Sequence, residues 1–487
     1  MGKIRGVHAP HYKNTANCVT ERLPVPAEVH IPMLMHAGRP ATPVVKVGDE
    51  VQVGQIIGEA TGNVSAHAHA SVSGKVKSIN ERDPLTGQKA VSITITSDGN
   101  QTMYEGLKPP VITTREEFIE AVKESGVVGL GGAGFPTAPK LTFKSKLDYI
   151  LINGAECEPY VTSDTRTMIE DAEYVAEGVR LMQKYYEPKE MVVCVEANKP
   201  EAISRLKECF AGDEGIRVHV LPSTYPQGER KVLVYNVTGR VIKEGTRLHE
   251  TGCIVSNCTT VAVIAKYVKY GIPLVEKIVT VDGSSVKNPK NVIAPIGTPI
   301  KALFEYCGGF VDNEPKKIII GGAMMGNAVP SLEMPVVKIT NSVLAFQEKD
   351  VPVLVETNCI KCGRCISKCP MSLMPPSVER AFTLNRADLL DRYKVGMCVE
   401  CGCCAFICPA KRPLVQVMRM SNNMLSDYKA ALKAKEEEKA AKEKAAAEEK
   451  AAAEEKAAEE KAAAEGNAAE GNAAAVEKVA EEAKKDE

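Results

Sequence analysis

Tryptophan is absent from this chain of 487 residues and aromatic side chains make up only 5%, in keeping with a composition that includes 37 glycines. No apolar run reaches the roughly eighteen residues that a bilayer-spanning helix needs, so nothing reads as a membrane span. A long basic stripe is missing as well. With a net charge of −1, this argues against a nucleic-acid partner held by bulk charge. Residues 1–10 are polar and carry His8, without the apolar core of a signal peptide. What is present supports real cores: 44% of residues are apolar, and the length suggests three or four domains at about 100–200 residues each. The 16 cysteines would suit a secreted protein, but half fall in patterns that need reduced thiolates, so the cytoplasm is the expected compartment.

Those patterns are one spacing written twice. The first copy is Cys359-x-x-Cys362-x-x-Cys365-x-x-x-Cys369-Pro370, and the second is Cys398-x-x-Cys401-x-x-Cys404-x-x-x-Cys408-Pro409. Three thiolates from one tight loop cap three corners of an iron–sulfur cube, and a distant segment supplies the fourth. The proline after each fourth cysteine stops the chain from continuing there as helix. The expected ligand sets are Cys359, Cys362, Cys365 and Cys408 for one [4Fe–4S] cluster, and Cys398, Cys401, Cys404 and Cys369 for the other. A zinc site would want two paired ligand sets and no doubled triplet, and a disulfide framework is the other alternative. Cys403 does not fit the spacing and is expected to pack near the second cluster. Cys253 and Cys258 lack a partner pair, and Cys18, Cys157, Cys194, Cys209 and Cys307 are expected to be buried thiols.

Residues 1–110 read as all-β. The stretch Val44-Val45-Lys46-Val47-Gly48-Asp49-Glu50-Val51-Gln52-Val53-Gly54-Gln55-Ile56-Ile57-Gly58 alternates apolar and polar residues between turns, and a further strand begins at Ser73-Gly74-Lys75-Val76. This resembles the barrel-sandwich fold of biotinyl and lipoyl carrier domains. Those carriers present a modifiable lysine on the turn between their halves. The corresponding residues 61–73 contain none, so a structural or docking domain is expected. His67 and His69 share a face in this stretch and are expected to be surface or packing residues before ligands.

From residue 111 to about 270 the pattern is α/β. Thr114 and Glu117 offer a capping box, with Phe118, Ile119 and Val122 as a helical stripe. Strands are expected at 149–152, 191–195 and 217–221, with one long helix over 164–186 and another opened by Pro200. Such alternation implies a mostly parallel, Rossmann-like sheet, with ligands at the carboxyl ends of its strands. Residues 271–350 return to short strands and one short helix ending at Cys307, like the soluble ligand-binding β-grasp module. The ferredoxin-like segment occupies 351–425, with a helical link over 377–393. Residues 426–487 form an Ala/Glu/Lys-rich tail, read as a solvated helix or disordered, which Gly466-Asn467 and Gly471-Asn472 would break. A docking arm for a partner is the functional alternative for the tail.

The second informative region is Gly129-Leu130-Gly131-Gly132-Ala133-Gly134-Phe135-Pro136-Thr137, a glycine run that lets backbone N–H groups approach an anion. An ordinary tight turn is the bland alternative. Two further segments follow at strand ends: Asn153-Gly154-Ala155-Glu156-Cys157-Glu158-Pro159 and Tyr225-Pro226-Gln227-Gly228-Glu229.

These three motifs resemble the flavin-and-NADH-binding subunit of respiratory complex I. With the doubled cysteine motif and the domain order, residues 6–422 are more similar still to the C subunits of the Rnf complex, a membrane-bound, ion-translocating ferredoxin:NAD oxidoreductase. The resemblance implies FMN on the loop (Gly129, Gly131, Gly132, Ala133, Gly134 and Thr137), with Asn153, Glu156, Tyr225, Gly228 and Asn257 completing the flavin site. Glu158 and Glu229 would line the nicotinamide side, and Phe135 would stack on nicotinamide or adenine. Leu130, Ala155 and Arg230 stand where the complex I pattern has arginine, aspartate and glutamate, which weakens the exact nucleotide contacts more than the flavin assignment.

The expected cofactors are two [4Fe–4S] clusters and FMN, with NAD(H) as substrate. NAD takes a hydride whereas clusters deliver single electrons, and a flavin converts between the two. No catalytic side chain is expected, because hydride transfer from flavin N5 needs no protein acid or base. The resemblance further implies membrane subunits and a ferredoxin-linked donor subunit as partners, and a peripheral place on the cytoplasmic side of the cell membrane. The alternatives are a soluble diaphorase subunit of a hydrogenase-like complex and a non-enzymatic electron-relay scaffold.

Overall fold

The computed structural model describes residues 5–81, 91–311, 314–351 and 355–482. Its N-terminal β-region is built of two small sheets. One has the strand order Glu28–Pro32, Ser92–Ser97, Gly74–Asn80, Glu50–Val51, and the other joins Thr42–Pro43, Ile56–Glu59 and Ala68–His69. Val29, Ile31, Ile57, Ile93 and Ile95 are fully buried within this region. The alternating run over 44–58 does not stay in one sheet. Gly54, at φ +88, turns the chain between Glu50–Val51 and Ile56–Glu59, and Val44 and Val47 are left exposed. Residues 61–73 are drawn inward rather than displayed. His67 and His69 are buried, and the Lys338 ammonium bonds the carbonyl of His67, so both histidines pack at a junction with later parts of the chain.

Residues 21–22 do not join these sheets. Glu21–Arg22 pairs in parallel with Lys290–Pro295 and forms the edge of a six-stranded mixed sheet made otherwise from residues 276–346. The helix Ile300–Tyr306 packs Ile300, Leu303 and Phe304 onto Val279, Val281, Val292 and Val343 of that sheet.

Between these regions lies a four-stranded, wholly parallel sheet in the order Ile216–Leu221, Glu190–Glu196, Tyr149–Gly154, Cys253–Asn257. The capping box at Thr114 opens Arg115–Glu124 as the sequence indicates. The long helix expected over 164–186 is two helices, Ser163–Glu170 and Ala172–Tyr186, because Asp171 leaves helical geometry at φ −109 and ψ 23. The second of them packs on Cys258–Tyr270 backbone to backbone: a Cβ at Gly178 would stand 2.2 Å from the carbonyl oxygen of Val261.

The C-terminal region repeats in its backbone as well as its sequence. Lys361, Gly363 and Ser372 adopt positive φ, and so do Glu400, Gly402 and Lys411, each 39 residues further on. A helix follows each copy, Pro375–Thr383 after the first and Leu414–Glu482 after the second. The link between the copies is helical as expected, broken between Pro375–Thr383 and Ala387–Arg392. The helix Leu414–Glu482 buries Leu414, Met418 and Leu425 and then runs out exposed with i,i+4 pairs such as Lys439–Glu443. It continues through both Gly-Asn pairs. A glycine costs about 1 kcal/mol of helix propensity, too little to stop a run so rich in alanine.

Gly→Ala inside a helix normally gains stability through propensity, by about 1 kcal/mol. At Gly178 the overpacking against Val261, about 1–3 kcal/mol, outweighs that gain. Gly178→Ala is therefore expected to lower the urea midpoint of the chain rather than raise it.

Candidate flavin and iron–sulfur site

The carboxyl ends of the parallel strands gather the three motifs. Val128 and Pro136 bridge across the glycine loop, Gly129 donates to Phe135 O at 2.9 Å, and Gly134 donates to Gly129 O at 3.2 Å. The loop is thus closed at its base while Gly131, Gly132 and Ala133 face outward. Gly132 has φ +111, and a Cβ built there meets nothing within 4 Å. Gly131 lies against Asn257, whose amide would be 3.3 Å from a Cβ there. Asn257 caps the following helix through Thr260 N and donates to Asp164 at 2.7 Å. Asn153 donates to Gly228 O at 2.9 Å, which ties the second motif to the third. Phe135 stands 40% exposed at the edge of the loop. Thr137 is buried, and its hydroxyl is unpartnered among the described residues.

The carboxylates are committed to backbone. Glu156 accepts from Asp164 N at 2.6 Å and Thr165 N at 3.2 Å, and so caps Ser163–Glu170. Glu158 accepts from Met324 N at 2.9 Å and the Tyr225 hydroxyl at 3.3 Å. Glu229 caps Arg230–Thr238 through Lys231 N and Val232 N. Burial raises all three carboxyls above their ordinary range, with Lys13 opposing the rise at Glu156. Glu156 and Tyr160 sit at φ +46 and +71, a left-handed backbone that costs non-glycine residues on the order of 1–3 kcal/mol each.

Two cations near the loop were not read from the sequence. Lys140 lies in the short helix Thr137–Leu141, where burial and then the charge of Arg230 push its ammonium down to about 8. It has no carboxylate partner among the described residues. Lys277 donates to Leu130 O at 3.4 Å, and burial takes it to about 8. Leu130 itself is fully buried, so the place where the complex I pattern has arginine carries no charge. The available signal for Lys140 was a basic residue one turn beyond the glycine run.

The second cysteine set lines one cavity: Cys369, Cys398, Cys401 and Cys404 surround it, with Pro370, Glu400 and Cys403. In the first set Cys359 and Cys362 are exposed, and Cys365 lies within electrostatic reach of Cys408 and Cys359. Each set therefore mixes cysteines of both copies. Among the described residues no His/Cys/Asp/Glu group is drawn tight enough for a single metal ion, and thiolates spread around a cube stand farther apart than that. Four thiols around one cavity fit a cube-sized centre at the second set. No disulfide joins any of the 16 cysteines; Cys18, Cys157 and Cys209 are only partly buried, whereas Cys194, Cys253, Cys258 and Cys307 are buried. Cys403 is fully buried among Val7, Tyr225 and Cys401, as packing beside the second set requires.

Both halves of the site meet at Tyr225, whose hydroxyl donates to Cys401 O at 2.8 Å. The second set thus abuts the flavin motifs, while Cys359 and Cys362 of the first lie at the surface.

Family models match in the same order: the RnfC barrel sandwich hybrid domain over residues 3–100, the Nuo51 FMN-binding domain over 122–266, and the SLBB domain over 278–328. The C subunit of a proton-translocating ferredoxin:NAD+ oxidoreductase complex from Clostridium ljungdahlii is 39% identical over 80% of this chain and 85% of its own. The Na+-translocating counterpart from Acetobacterium woodii is 38% identical over 85% and 95%. This chain belongs to the family of C subunits of these complexes. The C subunit of the ion-translocating oxidoreductase complex of Rhodobacter capsulatus is also similar, at 36% identity over 87% of this chain and 83% of its own. Barrel-sandwich, FMN-binding and SLBB regions are therefore part of the chain, and the Ala/Glu/Lys tail lies beyond all three family matches. Among the described residues no helix is long and apolar enough to cross a membrane.

The mixed ligand sets lead to a specific outcome. Cys369→Ala is expected to remove chiefly the electron paramagnetic resonance signal of the cluster held by Cys398, Cys401 and Cys404. Loss confined to the cluster of Cys359, Cys362 and Cys365 would overturn the crossed assignment.

Proposed function

We propose that this chain is the nucleotide-side electron-transfer subunit of a membrane-bound ferredoxin:NAD oxidoreductase, carrying FMN and two [4Fe–4S] clusters. The observation that carries the reading is the contact through Tyr225 between an FMN-binding type of domain and the second cysteine set. The residues fit a flavin phosphate: outward glycines with open space above Gly132, an unpartnered Thr137 hydroxyl, and the Lys140 ammonium without a counter-ion. Gly129, Gly131, Gly132, Ala133, Gly134 and Thr137 would hold its phosphate and ribityl chain, with Asn153 and Asn257 alongside. Tyr225 and Gly228 close the side toward the clusters. Bound there, FMN supplies the conversion between single electrons and a hydride.

The chain's own part is position and electrostatics. Glu156, Glu158 and Glu229 fix the loops by capping them, and Phe135 offers a half-open ring for a nicotinamide or adenine face. Arg230 is exposed beside Lys140 and suits an NAD pyrophosphate. The set of Cys359, Cys362, Cys365 and Cys408, which reaches the surface at Cys359 and Cys362, receives or delivers electrons there, and the set of Cys398, Cys401, Cys404 and Cys369 relays them. The parts permit either direction. The domain limits that go with this reading are 1–110, 111–270, 271–350, 351–425 and 426–487, with residues 5–22 lying outside the first sandwich. Held by membrane partners, the chain would sit peripherally on the cytoplasmic face. The named relatives belong to complexes that translocate different ions.

Chain purified without oxygen tests this. NADH should reduce both clusters, and Gly132→Val should abolish that reduction and flavin retention while dithionite still reduces both clusters. Valine would fill the open space above residue 132, and φ +111 strains any side chain there. Full flavin content and full NADH-driven reduction in Gly132→Val would show the loop to be an ordinary turn.

A further inference from the structure

Residues 5–13 run as a strap that touches the Tyr225 segment, the second cysteine copy and the loop of residues 156–161. Val7 exchanges backbone hydrogen bonds with Tyr225, at 2.9 and 3.0 Å. The approach is close enough that a Cβ on Gly6 would stand 2.3 Å from the Tyr225 carbonyl oxygen. Val7 also packs with Cys401 and Cys403. Further along, His11 O accepts from Tyr160 N at 2.9 Å, and the Tyr12 ring stacks on Tyr160 with centroids 5.1 Å apart. Lys13 then turns its ammonium onto three carbonyls of one loop, those of Glu156 and Glu158 at 2.9 Å each and that of Val161. That loop is the strained one, with Glu156 and Tyr160 both left-handed. Backbone of this kind persists only where its surroundings over-determine it. Lys199 reaches the start of the same stretch, through Ala155 O at 2.6 Å and Glu156 O at 3.4 Å, whereas Lys13 spans it from Glu156 to Val161.

We propose that Lys13 is a positioning residue of the flavin site, its ammonium holding the strained loop of residues 156–161 in the shape that binds FMN. The inference rests on the reading above that the Asn153 motif contacts the flavin, and it adds the N-terminal strap to that site. Removing the ammonium while keeping the length of the side chain frees three carbonyls and lets Glu156 and Tyr160 relax toward ordinary backbone. Removing the charge also disfavours the reduced flavin, which carries more negative charge than the oxidised form.

The test uses the full chain, purified without oxygen, stripped of flavin and titrated with FMN. For Lys13→Met the expected result is FMN binding weakened about tenfold or more, with a flavin midpoint potential more negative than wild type. Both cluster signals should be unchanged. Lys13→Arg, which keeps the charge and several donors, should recover most of the affinity and the potential. A merely structural lysine would not tie the potential to the charge. Lys13→Met protein with both clusters, FMN affinity within about twofold of wild type and an unshifted potential would overturn the proposal. If Lys13→Met does not accumulate folded, Tyr12→Leu at the exposed stack decides: weaker FMN binding supports the strap and wild-type affinity overturns it. Failure of the wild-type chain itself to bind FMN would instead remove the functional reading beneath the proposal.

Discussion

The hydroxyl of Tyr225 is the interaction on which the arrangement depends. It donates to the carbonyl of a cluster cysteine, Cys401, and approaches the carboxylate of Glu158 in the flavin motif. The Glu158 carboxylate in turn accepts from Met324 N, next to the six-stranded sheet, and the Tyr225 backbone pairs with Val7. Four regions distant in sequence thereby meet at or beside one residue. Electron transfer demands close approach of centres that no single secondary element carries, and a buried tyrosine with its bonds satisfied meets that demand. Left without its partners, such a polar group would cost free energy instead.

Around that joint, the site is built from backbone more than from free functional groups. Three carboxylates expected from resemblance to touch cofactor or substrate each cap a helix or bind a loop N–H. They fix the loops, and the proposed binding falls to the exposed glycine loop with its open space at Gly132. This is consistent with chemistry that belongs to the cofactor, for which the protein provides position and electrostatics.

Much of this is legible in the sequence because the signals are local. The cysteine spacing repeats at a constant offset, and its left-handed positions repeat with it; the parallel sheet follows from strand and helix alternation at 149–221. Other features depend on contacts that no window of sequence contains. The run over 44–58 reads as one alternating stretch, yet Gly54 turns it between two sheets. Asp171 carries no breaker signal, yet the helix is interrupted there. Lys13 sits in an undistinguished polar segment, and its partners lie more than 140 residues away. Lys277 and Lys338 look like surface lysines in sequence but are buried against carbonyls.

The proposed order of centres is flavin site, then the cluster of Cys398, Cys401, Cys404 and Cys369, then the outward cluster of Cys359, Cys362, Cys365 and Cys408. The most direct measurement is NADH-driven reduction of the outward cluster in Cys404→Ala protein, followed by electron paramagnetic resonance after rapid freezing. The account predicts that NADH still reduces the flavin but no longer reduces the outward cluster at the wild-type rate, although dithionite does. Reduction of the outward cluster by NADH at the wild-type rate would contradict it.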